Sequence, residues 1–357
     1  MFQLRIGQKN FQTPEDFSAE IEEFSDSEKA AITFCKAWLD GKGTFSQQSS
    51  GSTGIPKTIE VHRNQMIASA NATGDFFNVN EYTRLLCCLS PAYIAGKMML
   101  VRAMVWNCEI DLVEPTSDPL REISWDHLHD FVAIVPLQIQ TILSNPSSLE
   151  KLRKISHIII GGAPLNENLK SLLVSNGIKA FQTYGMTETV SHIALARIES
   201  GNLVYHSLKN VEIGQDNRGA LWVKSAMSGP ERVQTNDQVE LKSENSFWWL
   251  GRADFVINSG GVKIHPELLE TKSESTIAGF FPNSEFFYFG LKDPNLGEKL
   301  ALFIQTSEAK SEKAELLQRE LKLKLDRFEV PKEIHLMPKF EITSSGKLDR
   351  RKTVSLL

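Results

Sequence analysis

The sequence predicts an α/β protein with a large N-terminal α/β domain that includes a β-rich portion, followed by a small C-terminal α+β domain. Strand and helix patterns alternate from residue 58 to residue 165, as is typical of an α/β sheet. From about residue 203, short stretches of alternating hydrophobicity predict antiparallel strands. The length of 357 residues suits two domains. We expect them to span residues 1–251 and 252–357.

The individual elements follow from the local period of the apolar residues. Helical spacing predicts two helices between residues 14 and 40, and further helices at residues 64–77, 98–105, 136–143 and 308–325. Apolar runs predict buried strands at residues 84–89, 109–113, 131–135 and 155–160. In a sheet of this kind, the ligand crevice lies at the carboxyl ends of the strands.

Composition and charge exclude several classes of function. Hydrophobic residues make up 41% and charged residues 23% of the chain, and the net charge of −5 gives no basic surface for nucleic acid. No signal-peptide pattern and no membrane-length apolar stretch is visible. We therefore expect a cytoplasmic protein without a nucleic-acid partner or a membrane span. The cysteines have no metal-binding spacing and are predicted to be reduced core residues: Cys35, Cys87, Cys88 and Cys108.

A loop rich in glycine and hydroxyl residues predicts a nucleotide site. Glycine backbone N–H groups, hydroxyls and a lysine are suited to phosphate oxygens. Pro56 excludes a Walker A loop, because proline has no N–H to donate. The following β-branched residues predict a loop between two strands, and a plain Ser/Gly linker is the alternative interpretation. The candidate phosphate-binding residues are Ser49, Ser50, Gly51, Ser52, Thr53, Gly54 and Lys57.

Four later segments make the nucleotide prediction more specific. Residues 181–188 place an aromatic ring, a glycine, a hydroxyl and a carboxylate on one turn, which suits adenine and Mg²⁺. Residues 235–237, 251–257 and 344–350 add an isolated carboxylate, an Arg-Ala-Asp sequence and a late lysine. Taken singly, Glu188, Asp237 and Lys347 are more typical of solvated surface charges. Their joint order carries the prediction.

In this order, the segments resemble the adenylate-forming superfamily of acyl-CoA synthetases, adenylation domains and luciferases. The resemblance extends from about Ser46 to Arg350. It implies that Ser49 to Lys57 hold the β- and γ-phosphates of ATP and that the small domain moves about a hinge at Asp254. It further implies an adenine site at Gly161, Gly162, Ala163, Tyr184 and Gly185, a ribose clamp at Asp237 and Arg252, a Mg²⁺ ligand at Glu188, catalytic roles for Thr187, Glu188 and Lys347, and a coenzyme A tunnel at Gly260 and Gly261.

The acid substrate is the subject of a narrower resemblance. Residues 90–103 and 189–193 are most similar to o-succinylbenzoate:CoA ligases of menaquinone biosynthesis, which implies an acid pocket containing Tyr93, Arg102, Ser191 and His192. An arginine on an otherwise apolar helix can pair with a second carboxylate of the acid. The alternative for Arg102 is a side chain that extends along its helix to solvent, and the alternative for His192 is a structural role.

The resemblance thus implies an ATP-dependent acid:CoA ligase that uses Mg²⁺, with o-succinylbenzoate as the expected acid. An adenylation enzyme that loads a carrier protein is the neighbouring alternative. It is disfavoured because residues 90–96 lack the aspartate that binds an α-amine in such relatives. A nucleotide-sensing protein without chemistry is a third alternative. Only 45 residues precede Ser46, so we expect an abridged N-terminal region, and the sequence leaves homo-oligomerisation open.

Overall fold

The computed structural model describes residues 1–18, 21–48, 58–125, 128–307, 311–342 and 348–357. Its helices are α1 (Asp26–Leu39), α2 (Arg63–Phe77), α3 (Ile94–Trp106), α4 (Pro136–Ser144), α5 (Pro146–Lys154), α6 (Glu167–Ser175), α7 (Pro266–Phe280), α8 (Ser311–Lys324) and α9 (Arg350–Val354). Its strands are β1 (Gln3–Ile6), β2 (Lys9–Phe11), β3 (Thr44–Gln48), β4 (Thr58–His62), β5 (Leu85–Cys87), β6 (Glu109–Leu112), β7 (Phe131–Ile134), β8 (His157–Ile160), β9 (Ala180–Gly185), β10 (His192–Arg197), β11 (Val204–Ser207), β12 (Glu212–Gln215), β13 (Ala220–Ser225), β14 (Gly229–Ser243), β15 (Ser246–Arg252), β16 (Ile257–Ser259), β17 (Val262–Ile264), β18 (Phe286–Asp293), β19 (Gly297–Gln305) and β20 (Glu333–Met337).

One large sheet organises the first 252 residues. Its strand order in the described part of the chain is β12-β13-β14-β15-β11-β10-β9-β8-β7-β5-β6-β1-β2. Strands β1, β6, β5, β7, β8 and β9 are parallel to one another, whereas β9 to β15 continue the sheet with antiparallel pairs. The predicted α/β fold with a β-rich portion is confirmed.

Helices cover both faces of the parallel strands. All four residues of β7 are buried, and they alternate between two apolar clusters as the pleat requires. Phe131 and Ala133 belong to the cluster that contains residues of α1, α2 and α3. Val132 and Ile134 belong to the cluster that contains residues of α4, α5 and α6. Burial on both faces explains why these strands are continuous apolar runs in the sequence.

The predicted loop between two strands is confirmed by its flanks. Strands β3 and β4 pair antiparallel, with Gln48 opposite Thr58, so residues 49–57 connect adjacent strand ends. The loop itself lies outside the described residues. The phosphate-binding roles predicted within it therefore stay predictions, which concern Ser49, Ser50, Gly51, Ser52, Thr53, Gly54 and Lys57.

Two of the helix predictions from the sequence were wrong or incomplete. Of the two helices predicted between residues 14 and 40, the described residues contain only α1, preceded by a single 3₁₀ turn at Asp16–Ser18. The carboxylate of Asp16 accepts hydrogen bonds from the backbone N–H groups of Gln12 and Thr13, which favours a turn over a longer helix. Helix α3 also begins at Ile94 rather than Met98.

A second, smaller sheet lies in the C-terminal part. Its order is β17-β16-β19-β18, with β20 paired to β19, and its core packs against α7 and α8. The large sheet ends at Arg252 and this sheet begins at Ile257, so the two share no strand in the described residues. The division into residues 1–251 and 252–357 stays a prediction. The predicted Lys/Glu-rich helix corresponds to α8.

The cysteine prediction is confirmed, since all four thiols are free and buried. Burial raises the pKa of the Cys87 thiol to about 12, so it stays protonated near neutral pH. Among the described residues, no helix combines the length and apolar character needed to cross a membrane.

Candidate functional site

The candidate site lies at one edge of the large sheet. Strands β5, β7, β8 and β9 are parallel, so their carboxyl ends meet at this edge. Strand β10 is antiparallel to β9 and therefore begins there, at His192. The turns before α3, α4 and α6 all leave from this edge. The site residues that the sequence predicts on these turns therefore lie at the same edge of the sheet, which is where ligands bind in this class of fold.

The turn after β8 requires its glycines. A Cβ added at Gly161 would lie 2.4 Å from the hydroxyl oxygen of Thr183 on the neighbouring strand. Gly162 has φ +86°, a left-handed conformation that side-chain-bearing residues rarely adopt. Ala163 follows on the exposed side of the turn. This segment therefore brings bare backbone to the edge of the sheet, where a flat ligand can approach closely.

A chain of polar contacts links the end of β9 with β14 and β15. The Tyr184 hydroxyl donates to Oδ2 of Asp237 at 2.7 Å, and the Arg252 guanidinium lies 3.8 Å from Oδ1. Arg252 also donates to Asp254 at 2.8 Å. Burial, followed by the Asp237 charge, raises the pKa of Tyr184 well above its usual value. The hydroxyl therefore stays protonated, and the ring packs edge-on against Phe247.

The carboxylate of Asp237 keeps capacity for further hydrogen bonds. An ionised carboxylate has about four acceptor sites, and Tyr184 uses one of them. Asp237 is partly buried in the middle of β14, and its remaining acceptor sites suit hydroxyl donors such as those of a ribose. The structure therefore brings Tyr184, Asp237, Arg252 and the predicted hinge residue Asp254 together.

The segment between β9 and β10 is a strained turn. A Cβ at Gly185 would lie 2.3 Å from the Ser191 carbonyl oxygen, so only glycine fits. Val190 has φ +65°, which is unusual for a β-branched residue, and the Ser191 N–H donates to the Thr189 carbonyl at 2.7 Å. Backbone strain of this kind is concentrated at functional sites. Thr187 and the exposed Glu188 lie on the outer part of the turn.

Arg102 on α3 is buried, with a relative exposure of 2%. The alternative in which this side chain extends to solvent was therefore wrong. Its Nη2 donates to the Ser191 hydroxyl at 3.1 Å, its Nη1 contacts the Met99 sulfur at 3.5 Å, and its Nε has no hydrogen-bond partner in the described part of the chain. Burial lowers the pKa of Arg102 to about 10, which leaves it charged near neutral pH.

His192 lies beside this arginine at the start of β10. Its Nε2 is 3.1 Å from the Thr73 hydroxyl on α2, and its Nδ1 is 3.4 Å from the Ser191 hydroxyl. Burial and then the positive charge of Arg102 lower the pKa of His192 well below its usual value, so the imidazole is neutral. Arg102, Ser191 and His192, all predicted from the sequence, therefore form one polar cluster, in which Arg102 and His192 are buried and Ser191 is partly buried.

Other predicted residues lie apart from this cluster. Tyr93 is 68% exposed at the start of α3, and the structure brings it into no contact with Arg102, Ser191 or His192. Gly260 and Gly261, with φ +58° and +84°, form the two-residue turn between β16 and β17. Such a turn requires positive φ at both positions, which explains the glycine pair without a ligand. Lys347 lies outside the described residues.

Sequence reasoning missed three polar residues near the site. Thr73 contacts His192, and the Lys97 ammonium donates to the buried Gln47 side chain at 2.8 Å, next to the turn before α3. The only sequence signal for Thr73 is a hydroxyl on the apolar face of a predicted helix, which does not reveal a partner 119 residues away.

Comparisons with known proteins identify the family of this chain. The AMP-binding enzyme family matches residues 39–216. A solved structure from Dyadobacter fermentans, described as an acyl-CoA synthetase (AMP-forming)/AMP-acid ligase II-like protein, is 37% identical and superposes with a TM-score of 0.64. That match covers 97% of this chain and 98% of the other. This chain belongs to the adenylate-forming family of AMP-binding enzymes.

This chain is also similar to more distant relatives. The 2-succinylbenzoate–CoA ligase of Staphylococcus epidermidis is 25% identical over 86% of this chain and 68% of that protein. The corresponding ligase of Listeria innocua is 26% identical over 89% of this chain and 71% of that protein. The structure of O-succinylbenzoate coenzyme A synthetase from Bacillus subtilis, in complex with ATP and magnesium, has the same fold at 20% identity, with a TM-score of 0.73 over 87% of this chain and 69% of that one.

Proposed function

We propose that this adenylate-forming enzyme is an ATP-dependent acid:CoA ligase, with o-succinylbenzoate as its acid. In the first step, a carboxylate oxygen attacks the α-phosphorus of ATP, an acyl–O–P bond forms and pyrophosphate leaves. In the second, the coenzyme A thiolate attacks the acyl carbon, a thioester forms and AMP leaves. Family membership and the names of the relatives support the reaction class.

The chain's own residues are suited to binding the nucleotide. The bare turn at Gly161 and Gly162 offers a close approach to adenine, and Asp237 can accept the ribose hydroxyls. The Arg252 guanidinium lies 3.8 Å from Oδ1 of Asp237, the carboxylate oxygen that Tyr184 does not contact. Lys57 and the rest of its loop would hold the phosphates, and Lys347 would neutralise charge at the α-phosphate.

Magnesium is implied by the family, and the residues at the strained turn fit it. Exposed Glu188 and the Thr187 hydroxyl offer oxygen ligands, which this hard cation prefers. The described residues contain no cluster of three or more His, Cys, Asp or Glu side chains that could enclose a metal. A site with one carboxylate suits Mg²⁺, which usually keeps waters and substrate phosphates as its other ligands. When bound, it would supply charge neutralisation for the phosphates.

The observation that supports o-succinylbenzoate is the unpaired charge of Arg102. No carboxylate contacts this buried guanidinium among the described residues, and its Nε lacks a partner. A buried charge without a counter-ion costs several kcal/mol, roughly, unless a ligand supplies one. A dicarboxylic acid can present one carboxylate to ATP and the other to Arg102. An acid with a single carboxylate leaves the arginine unpaired.

The experiment is an assay of thioester formation with a panel of acids, ATP, Mg²⁺ and coenzyme A, with products identified by mass spectrometry. We expect o-succinylbenzoyl-CoA, AMP and pyrophosphate in equal amounts. Benzoate and fatty acids should react poorly. A preference for an acid with one carboxylate would contradict the substrate proposal, and ADP in place of AMP would contradict the reaction class.

Loading of a carrier protein is the second candidate acceptor reaction for the same adenylate. The same assay separates the two, because coenzyme A itself must be consumed in the proposed reaction. Release of AMP and pyrophosphate with o-succinylbenzoate, but without any CoA thioester, would favour a carrier-protein acceptor.

A further inference from the structure

A continuous row of polar groups, buried except for the partly buried Ser191, connects α2, β10 and α3. It runs from the Ser69 carbonyl through Thr73, His192 and Ser191 to Arg102. Thr73, His192 and Arg102 are buried, so water cannot easily replace their contacts with one another and with Ser191. In such a setting, each proton has to be donated in one direction or the other, and a mismatch leaves a buried group unpaired.

The contacts at both ends fix the direction of the protons. The Thr73 hydroxyl donates to the Ser69 carbonyl at 2.9 Å, so its oxygen faces His192 Nε2 as an acceptor. At the other end, Arg102 can only donate, and it donates to the Ser191 oxygen at 3.1 Å. The positive guanidinium also favours a lone pair, rather than an N–H, on the imidazole nitrogen that faces it.

We infer that Thr73 is a positioning residue that holds His192 in the neutral Nε2–H tautomer. In this tautomer, Nδ1 accepts the Ser191 proton, and the Ser191 oxygen keeps its lone pair for Arg102. The order is Arg102 to Ser191, Ser191 to His192, His192 to Thr73, and Thr73 to the Ser69 carbonyl. The Arg102 guanidinium is thereby oriented, and its buried Nε is the donor that has no partner among the described residues.

The consequence for the acid rests on the proposed function. Without the Thr73 hydroxyl, the Nε2–H of His192 has no acceptor. The tautomer equilibrium of the imidazole then shifts toward the form that is protonated on Nδ1. That N–H then competes with Arg102 for the Ser191 lone pair and points toward a positive charge. Arg102 loses its fixed orientation, so binding of the distal carboxylate weakens while ATP binding does not change.

The first test compares Thr73→Val with Thr73→Ser and Ser69→Ala in the full-length enzyme. Ser69 is a matched control, because its hydroxyl is buried on the same helix and has no partner among the described residues. We expect Thr73→Val to raise the KM for o-succinylbenzoate about 5- to 100-fold, with little change in the KM for ATP. Thr73→Ser should restore binding, and Ser69→Ala should resemble the parent. Equal KM values for the acid in parent and Thr73→Val overturn the inference.

The second test observes the tautomer directly by ¹⁵N NMR of labelled histidine. The chain has eight histidines, and a His192→Asn variant identifies the His192 signals by their disappearance. We expect a protonated Nε2 and an unprotonated Nδ1 in the parent and in Thr73→Ser, and a protonated Nδ1 in a substantial fraction of Thr73→Val. A protonated Nδ1 in the parent overturns the inference.

The two tests separate this inference from the proposed function. Suppose that the parent shows the Nε2–H pattern, that Thr73→Val does not show it, and that the parent does not ligate o-succinylbenzoate. These results support the hydrogen-bond order and contradict the proposed substrate. A parent that ligates o-succinylbenzoate with a protonated His192 Nδ1 overturns the role of Thr73 and leaves the proposed function intact.

Discussion

Arg102 is the residue at which stability and proposed function are in conflict. It is the largest fully buried side chain of the described residues, and it is charged without a carboxylate partner. We predict that Arg102→Ala raises the KM for o-succinylbenzoate by at least about 30-fold, because removing one partner of a desolvated pair costs roughly 2–5 kcal/mol. Steady-state kinetics measure this, and the KM for ATP should hardly change. In the Arg102→Ala variant, the kcat/KM for benzoate should rise relative to that for o-succinylbenzoate.

Arg102→Met is the matched control for lost volume. It fills most of the space but carries no charge, so it should bind the acid as poorly as Arg102→Ala does. Replacing a buried charge by an apolar side chain is often neutral or stabilising by about 1–4 kcal/mol. The ligand-free Arg102→Met protein should therefore melt no lower than the parent. An unchanged KM for o-succinylbenzoate in both variants would exclude the pairing of Arg102 with a second carboxylate.

Glu188 gives a separate prediction for the magnesium site. We predict that Glu188→Gln slows adenylation about 10- to 100-fold and raises the Mg²⁺ concentration needed for half-maximal rate, because Mg²⁺ prefers a charged oxygen to an amide. The measurement is a magnesium titration of pyrophosphate release. Glu199→Gln, an exposed glutamate paired with Arg197, is the control. Unchanged magnesium dependence would leave Glu188 as a surface charge.

At the residue scale, the sequence predicted which residue types form the candidate site better than it predicted the contacts between them. Arg102, Ser191, His192, Asp237 and Arg252 were predicted, and the structure connects them within two clusters. The contacts that orient them were not predicted, because the contacting residues lie on elements distant in sequence. Tyr184 and Asp237, for example, are 53 residues apart and meet only once β9, β10, β11, β15 and β14 have paired in order.

At the element scale, the turn between β16 and β17 tests whether its glycines serve the backbone, coenzyme A or both. A Cβ at Gly261 meets no atom within 4 Å, so any cost comes from its φ of +84°. We predict that Gly261→Ala lowers the free energy of unfolding by about 1–3 kcal/mol. Gly279→Ala should instead raise it by about 0.5–1 kcal/mol, since Gly279 lies within α7.

Chemical denaturation of the full chain measures both substitutions. Thioesterification kinetics on the same variants address the ligand. A selective rise in the KM for coenzyme A in Gly261→Ala would support the predicted tunnel. A loss of stability without such a rise would assign the glycine pair to the turn alone, and equal stability of parent and Gly261→Ala would contradict the backbone explanation.

Elements with a strong internal signal were predicted, whereas those stabilised by distant partners were not. Helix α2 and strand β7 carry a clear hydrophobic period and were found as expected. The hairpin of β1 and β2 was not predicted, because β1 is short and is stabilised by its pairing with the distant strand β6. Arg5 on β1 forms an ion pair with Asp111 on β6, and this ion pair stabilises the pairing of the two strands. The Asp111 carboxylate also lies 2.7 Å from Nε2 of His129.

At the scale of the whole molecule, α7 connects the small sheet to the edge of the large sheet at which the nucleotide site is predicted. The Glu274 carboxylate accepts from the Glu167 backbone N–H at 2.9 Å and so helps to cap α6, the helix that follows the Gly161–Gly162 turn. A Cβ at Gly251 would lie 2.5 Å from the Glu267 carboxylate. Any movement of the small domain about Asp254 has to break these contacts, which neither sheet's sequence pattern predicts.

Movement of the small domain is tested through Lys347. We predict that Lys347→Ala slows adenylate formation about 100- to 1000-fold, because a cation at the α-phosphate serves the transition state of that step. Thioester formation from supplied acyl-adenylate should stay nearly intact. Single-turnover assays of the two half-reactions measure this, with Lys352→Ala as the control for an exposed lysine on α9. Equal losses in both half-reactions would contradict the assignment.

The transfer of oxygen from acid to AMP tests the proposed chemistry most directly. The measurement uses o-succinylbenzoate labelled with ¹⁸O in both carboxylates, with ATP, Mg²⁺ and coenzyme A, and mass spectrometry of the products. If a carboxylate oxygen attacks the α-phosphorus, one ¹⁸O must appear in each AMP and none in pyrophosphate. Label in inorganic phosphate, or unlabelled AMP formed together with the thioester, would contradict an acyl-adenylate intermediate.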